Sequence, residues 1–309
     1  MINEYALQPL VLNNWASNSR DYAEFFREYG LGTPRVISSF PKKKAGKLRS
    51  YFLRNGPTNA QSLQSMRYTE MVTKLIESIV LRDVQECGEN EWNQQVKAEH
   101  ERLPFGAVLS EAPEDINCGI TPIDMHQSDS IWNQPRQISI ERTHAGVSNA
   151  YTNLLRLSSQ QIIIIDPYGW NDASILMLQH LIRVAHIGRL NSQFPTITLF
   201  YKEKRGSNNT GQASPSAQNV KAKIKEGLES EFNSIMLNVF ELRDIENNDV
   251  FHNRCILSEL GGIGLGHGIS VTGSSTHTDE ATILAPDIYE KKWGQFVVNL
   301  NFEIVTKST

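Results

Sequence analysis

Four consecutive isoleucines, Ile162, Ile163, Ile164 and Ile165, place the strongest constraint on the fold. Branching at Cβ in every position favours extended backbone. A strand that does not alternate with polar residues must bury both of its faces. That is the pattern of a strand inside a largely parallel sheet covered by helices. The run ends in Asp166-Pro167-Tyr168-Gly169-Trp170, a polar turn at the strand's carboxyl end. Open α/β sheets bind ligands at that end. An Asp there also caps turns and helices, and Asp166 is read first in that role.

The residues that follow keep the same rhythm. Ile175, Leu178, Leu181, Ile182 and Ala185 recur at helical spacing over 173–187, and Gly188 stops the helix. A strand is expected over 196–201. A helix over 217–232 carries Val220, Ile224, Leu228 and Phe232, and a further strand covers 235–242. A last helix over 288–296 and a strand over 302–305 close the chain. This order predicts a mixed-sheet α/β sandwich. A helix over 147–157 precedes it, so the domain boundary is placed near residue 150.

The first 150 residues read differently. Helices are expected over 19–29, 59–86 and 91–102, with a strand over 105–109, hence a mainly helical α+β domain. Within it, 41–54 carries Lys42, Lys43, Lys44, Lys47, Arg49 and Arg54 and no acid. Such a stretch suits contacts to a nucleic-acid backbone. A solvated loop running into a helix is the plainer reading.

Totals exclude several classes. The 309 residues are enough for two cores. A net charge of −4 rules out a globally basic nucleic-acid binder, so any phosphate-binding surface must be local. Cys87, Cys118 and Cys255 are too scattered for a disulfide framework or a zinc site, which fits a reducing compartment. The start, Met1-Ile2-Asn3-Glu4-Tyr5, has no basic and apolar leader, and no apolar run approaches a membrane span. A cytoplasmic protein is expected. Neither a cofactor nor a metal cluster is signalled.

The chemistry concentrates in 250–271. Val250, Cys255, Ile256 and Leu257 favour a strand, Gly261-Gly262 reads as a hairpin turn, and 263–271 returns. Alternation puts His252 and Arg254 on one face, with Val250, Ile256 and Ser258. Gly264, Gly266 and Gly268 leave room on the returning strand for something to approach the backbone.

This stretch resembles the phospholipase D-like superfamily motif H-x-K-x4-D-x6-G-S/G. Here it reads His252-x-Arg254-x4-Glu259-x6-Gly266-His267. The spacing is kept. Arg254 replaces Lys, Glu259 replaces Asp and His267 replaces Ser. Ile162 to Tyr168 is also similar to that superfamily's opening strand. The resemblance covers about half the chain and implies a phospholipase D-like domain over 151–309.

The resemblance further implies His252 as nucleophile, with Arg254 on the non-bridging oxygens and Glu259 orienting a partner group. Arg254, Gly266 and His267 would bind phosphate. Arginine grips phosphate bidentately and stays charged. Only one motif copy is present, so an active site requires a homodimer or another subunit. A metal-independent nuclease-type phosphodiesterase is one expectation, and nucleic acid is the expected partner. The context is similar to parts of prokaryotic defence or restriction systems. The alternatives are an inactive module gripping the phosphate of nucleic acid, nucleotide or lipid, and a purely structural subunit.

Overall fold

The computed structural model describes residues 1–84, 91–113, 116–127, 131–206 and 213–309, apart from the side chain of His126. Cys87, Gly88 and part of the expected loop at 206–216 lie outside these residues. The chain divides into two units, Met1–Arg136 with Leu190–Ser192, and Gln137–Arg189 with Gln193–Thr309. Both are α/β.

The first unit contains, in order, β1 (Asn3–Leu7), α1 (Pro9–Ser17), α2 (Ser19–Glu28), β2 (Arg35–Ser38), α3 (Ala45–Arg54), α4 (Leu63–Glu77), β3 (Ile79–Val80), α5 (Trp92–Arg102), β4 (Ala107–Leu109) and β5 (Gly119–Ile120). The five strands form one parallel sheet in the order β3-β2-β1-β4-β5. Alternation along β1 explains its two covered faces. Tyr5 and Leu7 join a core with Leu12 and Trp15 of α1, Phe25 of α2, Phe52 of α3 and Met71 of α4. Ala6, between them, joins another with Phe40, Trp92 and Val96 of α5, and Phe105.

Helix outweighs strand here, as the sequence suggests, and the strands lie parallel. They are two to five residues long, too short to show a period. The long helix expected over 59–86 stops at Glu77. Ile79 and Val80 continue its apolar stripe in sequence, yet they pair with Ile37 and Ser38. Side chains fix several starts. Asn18 Oδ1 accepts the Arg20 N–H, and Ser62 Oγ accepts the Ser65 N–H.

One buried charge cluster ties this sheet together. Arg82, fully buried, donates to both oxygens of Glu4 (3.0 and 2.7 Å) and to Glu99 (2.9 Å). Its guanidinium lies 3.9 Å from the Phe105 ring centroid, and Arg102 also pairs with Glu99.

The second unit comprises β6 (Gln137–Glu141), α6 (His144–Leu157), β7 (Gln161–Ile165), α7 (Asp172–His186), β8 (Thr196–Lys202), α8 (Ala217–Glu226), β9 (Leu237–Arg243), β10 (Cys255–Ser258), β11 (Gly261–Leu265), β12 (Thr278–Ile283), α9 (Pro286–Trp293) and β13 (Glu303–Ser308). Its sheet runs β13-β9-β8-β7-β10-β11-β12-β6. β7, β8 and β9 are parallel, and the remaining pairs are antiparallel. The isoleucine run is β7, at the centre of this mixed sheet, buried at all four isoleucines. Asn171 caps α7 by accepting the Ser174 N–H at 2.8 Å, and Gly188, at φ +64°, follows its end.

The unit starts at Gln137, before the expected boundary near 150. β6 pairs along its whole length with β12, and the Tyr151 hydroxyl of α6 donates to Ile263 O. Both elements belong to this unit.

Candidate functional site

The sheet's connectivity gathers chemistry at one end. The carboxyl ends of β7 and β11 and the amino ends of β10 and β12 all finish there. Cys255 pairs with Ile165, so the next step sets Arg254 beside Asp166. The regular strand begins only at Cys255, a correction to the strand expected from Val250. Phe251 explains the difference. It is buried against Phe296 and Phe302, and its N–H donates to Asp244 Oδ1 at 2.8 Å. That anchor turns the chain just before β10. Ile256 and Ser258 are buried with Cys255 and Leu257, so β10 has no open face.

Asp166 is 1% exposed. Its Oδ1 accepts the Tyr168 N–H and its Oδ2 the Ile269 N–H, each at 2.9 Å. The first bond is the expected turn cap. The second holds the loop after β11. Burial pushes this carboxyl above its ordinary range, opposed by those two N–H groups and by Arg254 and Arg142. In that loop Gly268 adopts φ +77°, and an added Cβ would stand 2.3 Å from Asp166 Oδ2 and 3.0 Å from Arg254 Cδ. Gly268 therefore leaves room for protein, not ligand.

Arg254 donates from Nη1 to Gly266 O at 3.1 Å, and its Cζ lies 5.6 Å from the Tyr168 ring centroid. Its buried Nε has no protein partner. Arg254, Gly264, Gly266 and His267 share an open cleft of ≈ 560 Å³ with Asp279 and Thr278. The His267 N–H donates to Asp279 Oδ2 at 2.9 Å, and its Nδ1 lies 3.5 Å from the same oxygen. Burial raises the Asp279 carboxyl, but the His267 and Glu280 N–H groups and the His267 ring outweigh it, leaving the carboxyl below its ordinary range. Arg142, just past β6, donates from Nη2 to Ser270 O and Oγ at 2.8 and 3.0 Å.

The structure thus brings together Arg254, Gly266 and His267 of the expected set. His252 is exposed beside them in sequence but does not line the cleft. Its Nδ1 faces Val250 O at 3.2 Å. A carbonyl only accepts, so Nδ1 carries the proton of this contact, which in the neutral ring leaves the lone pair on Nε2.

Glu259 is a correction. It sits past the other end of β10, roughly 15 Å from Arg254 at the rise of a strand. Its carboxylate accepts N–H groups from Ser159 (2.6 Å), Gln160 (3.1 Å) and Gln161 (3.4 Å), fixing the entry to β7. The hairpin turn is also displaced. Ser258 pairs with Gly261, so Glu259-Leu260 make the turn, and Gly261 follows at φ +138°. Glu259 is held away from the cleft by this turn.

Arg142, Tyr168 and Asp279 were not distinguishable as site residues in the sequence. Tyr168 had a signal, the polar turn after a buried strand. Arg142 and Asp279 reach the site by pairing across β6, β11 and β12, which short alternating segments do not announce.

In the first unit, the basic stretch forms the approach to α3 and the helix itself. Lys42, Gly46, Lys47, Ser50 and Arg54 line a groove of ≈ 390 Å³ along one side of α3. Lys43, Lys44 and Arg49 are exposed but outside that lining. Lys42 Nζ stands 5.5 Å from the Tyr51 ring centroid.

Among the described residues, no group of three or more His, Cys, Asp or Glu is placed to hold a metal ion. No described helix is long and apolar enough to cross a membrane.

No family model and no curated protein matches the sequence. Among solved structures, the chain is similar to Nuc, a phospholipase D family member from Salmonella typhimurium. The identity is 11%, with 56% of this chain and 99% of that chain covered, at a TM-score of 0.35. It is also similar to TrmBL2, an archaeal chromatin protein described as showing a novel mode of DNA binding. There the identity is 11%, with 81% and 73% covered, at a TM-score of 0.31. Scores this low are a faint likeness, and the functional reading rests on the residues themselves.

Proposed function

We propose that this protein binds phosphodiesters at the sheet end formed by Arg254, Gly266 and His267. One observation carries the reading: Arg254 lines a cleft walled by glycine backbone, with its Nη1 donating to Gly266 O. A planar, permanently charged fork of this kind suits the paired oxygens of a phosphate. Nucleic acid is the polyphosphodiester that also suits the groove along α3. Lys42, Lys47 and Arg54 line that groove, and Lys43, Lys44 and Arg49 add charge near it.

A second reading, hydrolysis, is favoured by His252. With Nδ1 held by Val250 O, its Nε2 is the available nucleophile. Attack forms a P–N bond and breaks a P–O bond, with the leaving oxygen taking a proton. Water then cleaves the P–N bond and frees the histidine. In the superfamily this chain resembles, two motif copies meet at one site, so this reading needs a homodimer or a partner subunit.

The test is binding and cleavage of labelled DNA and RNA in excess chelator, with Arg254→Ala and His252→Ala beside the wild type. Salt-sensitive binding weakened by Arg254→Ala supports the phosphodiester site. Cleavage lost in His252→Ala adds hydrolysis. Binding unchanged by Arg254→Ala would sink the reading.

A further inference from the structure

Tyr168 follows Asp166 in the turn between β7 and α7, yet it is 51% exposed. Arg254, whose guanidinium faces the phosphate cleft, also lies over this ring, 5.6 Å from its centroid. Two residues on, Trp170 has the same kind of companion. Lys204, just past the carboxyl end of the neighbouring strand β8, places its Nζ 6.0 Å from the indole centroid. One sheet end therefore combines a phosphate-facing arginine with an open aromatic ring backed by that same arginine. A second aromatic–cation pair joins Trp170 of the same turn to Lys204 past β8.

We infer that Tyr168 is a stacking platform for an unpaired nucleobase, which makes single-stranded nucleic acid the ligand class of this site. The inference rests on the phosphodiester reading and narrows it. A lipid phosphodiester would bring aliphatic chains, which gain nothing specific from a ring polarised by a cation. Every nucleobase offers a π face, and stacking on an aromatic side chain is indifferent to sequence. In a duplex those faces are already occupied by neighbouring bases. An exposed ring beside a phosphate-facing arginine thus selects strands whose bases are free. The chemistry recognises base and backbone together, one through Tyr168 and the other through Arg254.

The experiment compares three probes of equal length: a single-stranded oligodeoxynucleotide, its abasic counterpart with the same phosphates, and the duplex. Binding is read by fluorescence anisotropy with the full chain. The wild type is expected to bind the base-bearing strand about 10-fold more tightly than the abasic strand. Tyr168→Ala removes that difference, while Tyr168→Phe keeps it, because stacking does not use the hydroxyl. Equal wild-type affinity for base-bearing and abasic strands would overturn the inference and leave the phosphodiester reading standing. So would a Tyr168→Ala loss that is the same on both strands, or a wild-type preference for duplex. Binding of neither strand would overturn both.

Discussion

Gly268 stands so close to Asp166 that a Cβ in its place would lie 2.3 Å from the carboxylate Oδ2. The same carboxylate oxygen accepts the very next N–H along the loop, that of Ile269. Close approach, a positive φ and a buried acceptor are therefore one device that fixes the loop against Arg254. Gly268→Ala is expected to cost about 1–3 kcal/mol through backbone strain alone. It should also weaken phosphate binding by moving Arg254. Urea denaturation and oligonucleotide binding of the variant check both, and a variant matching the wild type in both would contradict the assignment.

Asp279 holds the neighbouring residue. Its folded carboxyl is below its ordinary value, so the stability it adds is present above the unfolded value of 3.8 and is lost as pH falls through the folded value. Asp279→Asn should therefore be less stable than wild type near neutrality, by about 1–3 kcal/mol for the N–H groups it serves. The gap should close as pH falls below 3.8. Paired denaturation curves across that range show it, and a gap that widens in acid would be the wrong sign.

Asp166 behaves in the opposite sense. Burial raises its folded value, so its linkage reduces stability as pH rises from 3.8 through that raised value. The two aspartates should be separable by carbonyl-resolved NMR titration. Asp279 is expected to titrate below 3.8 and Asp166 above it.

Glu259 receives a structural role. Glu259→Gln keeps one acceptor oxygen and loses the second, so stability should fall by about 1–3 kcal/mol. Phosphate binding, measured well below the melting temperature, should stay unchanged. A selective loss of binding in a variant with native stability would return Glu259 to the site.

Arg82 makes the first unit sensitive to a single carboxylate. With the guanidinium fully buried, Glu4→Ala leaves much of its charge uncompensated. A loss of about 3–5 kcal/mol is expected, read as an earlier unfolding transition of that unit. A change below about 1 kcal/mol would show that Glu99 and water suffice.

How much of this was legible beforehand depended on segment length. The isoleucine run announced β7 because four branched residues in a row allow little else. Long helices such as α7 showed their stripes. The parallel sheet of the first unit stayed hidden because its strands are short, and Ile79 and Val80 also fit the helical stripe of α4. Arg254, Gly266 and His267 could be read from spacing. Arg142 and Asp279 could not, since their positions come from strand register. Glu259 was misplaced for a related reason. Spacing records separation along the chain, whereas β10 turns that separation into distance across the sheet.

β10 has four residues, with Arg254 just before it and Glu259 just after it. The four-residue gap is the length needed for a side chain leaving the strand to meet the backbone N–H groups of 159–161. It is a ruler set by architecture. A variant without His252 and Arg254 would still use the same count to bring Glu259 onto those N–H groups. The interval between Arg254 and Glu259 is thus kept by the scaffold, whatever happens in the cleft.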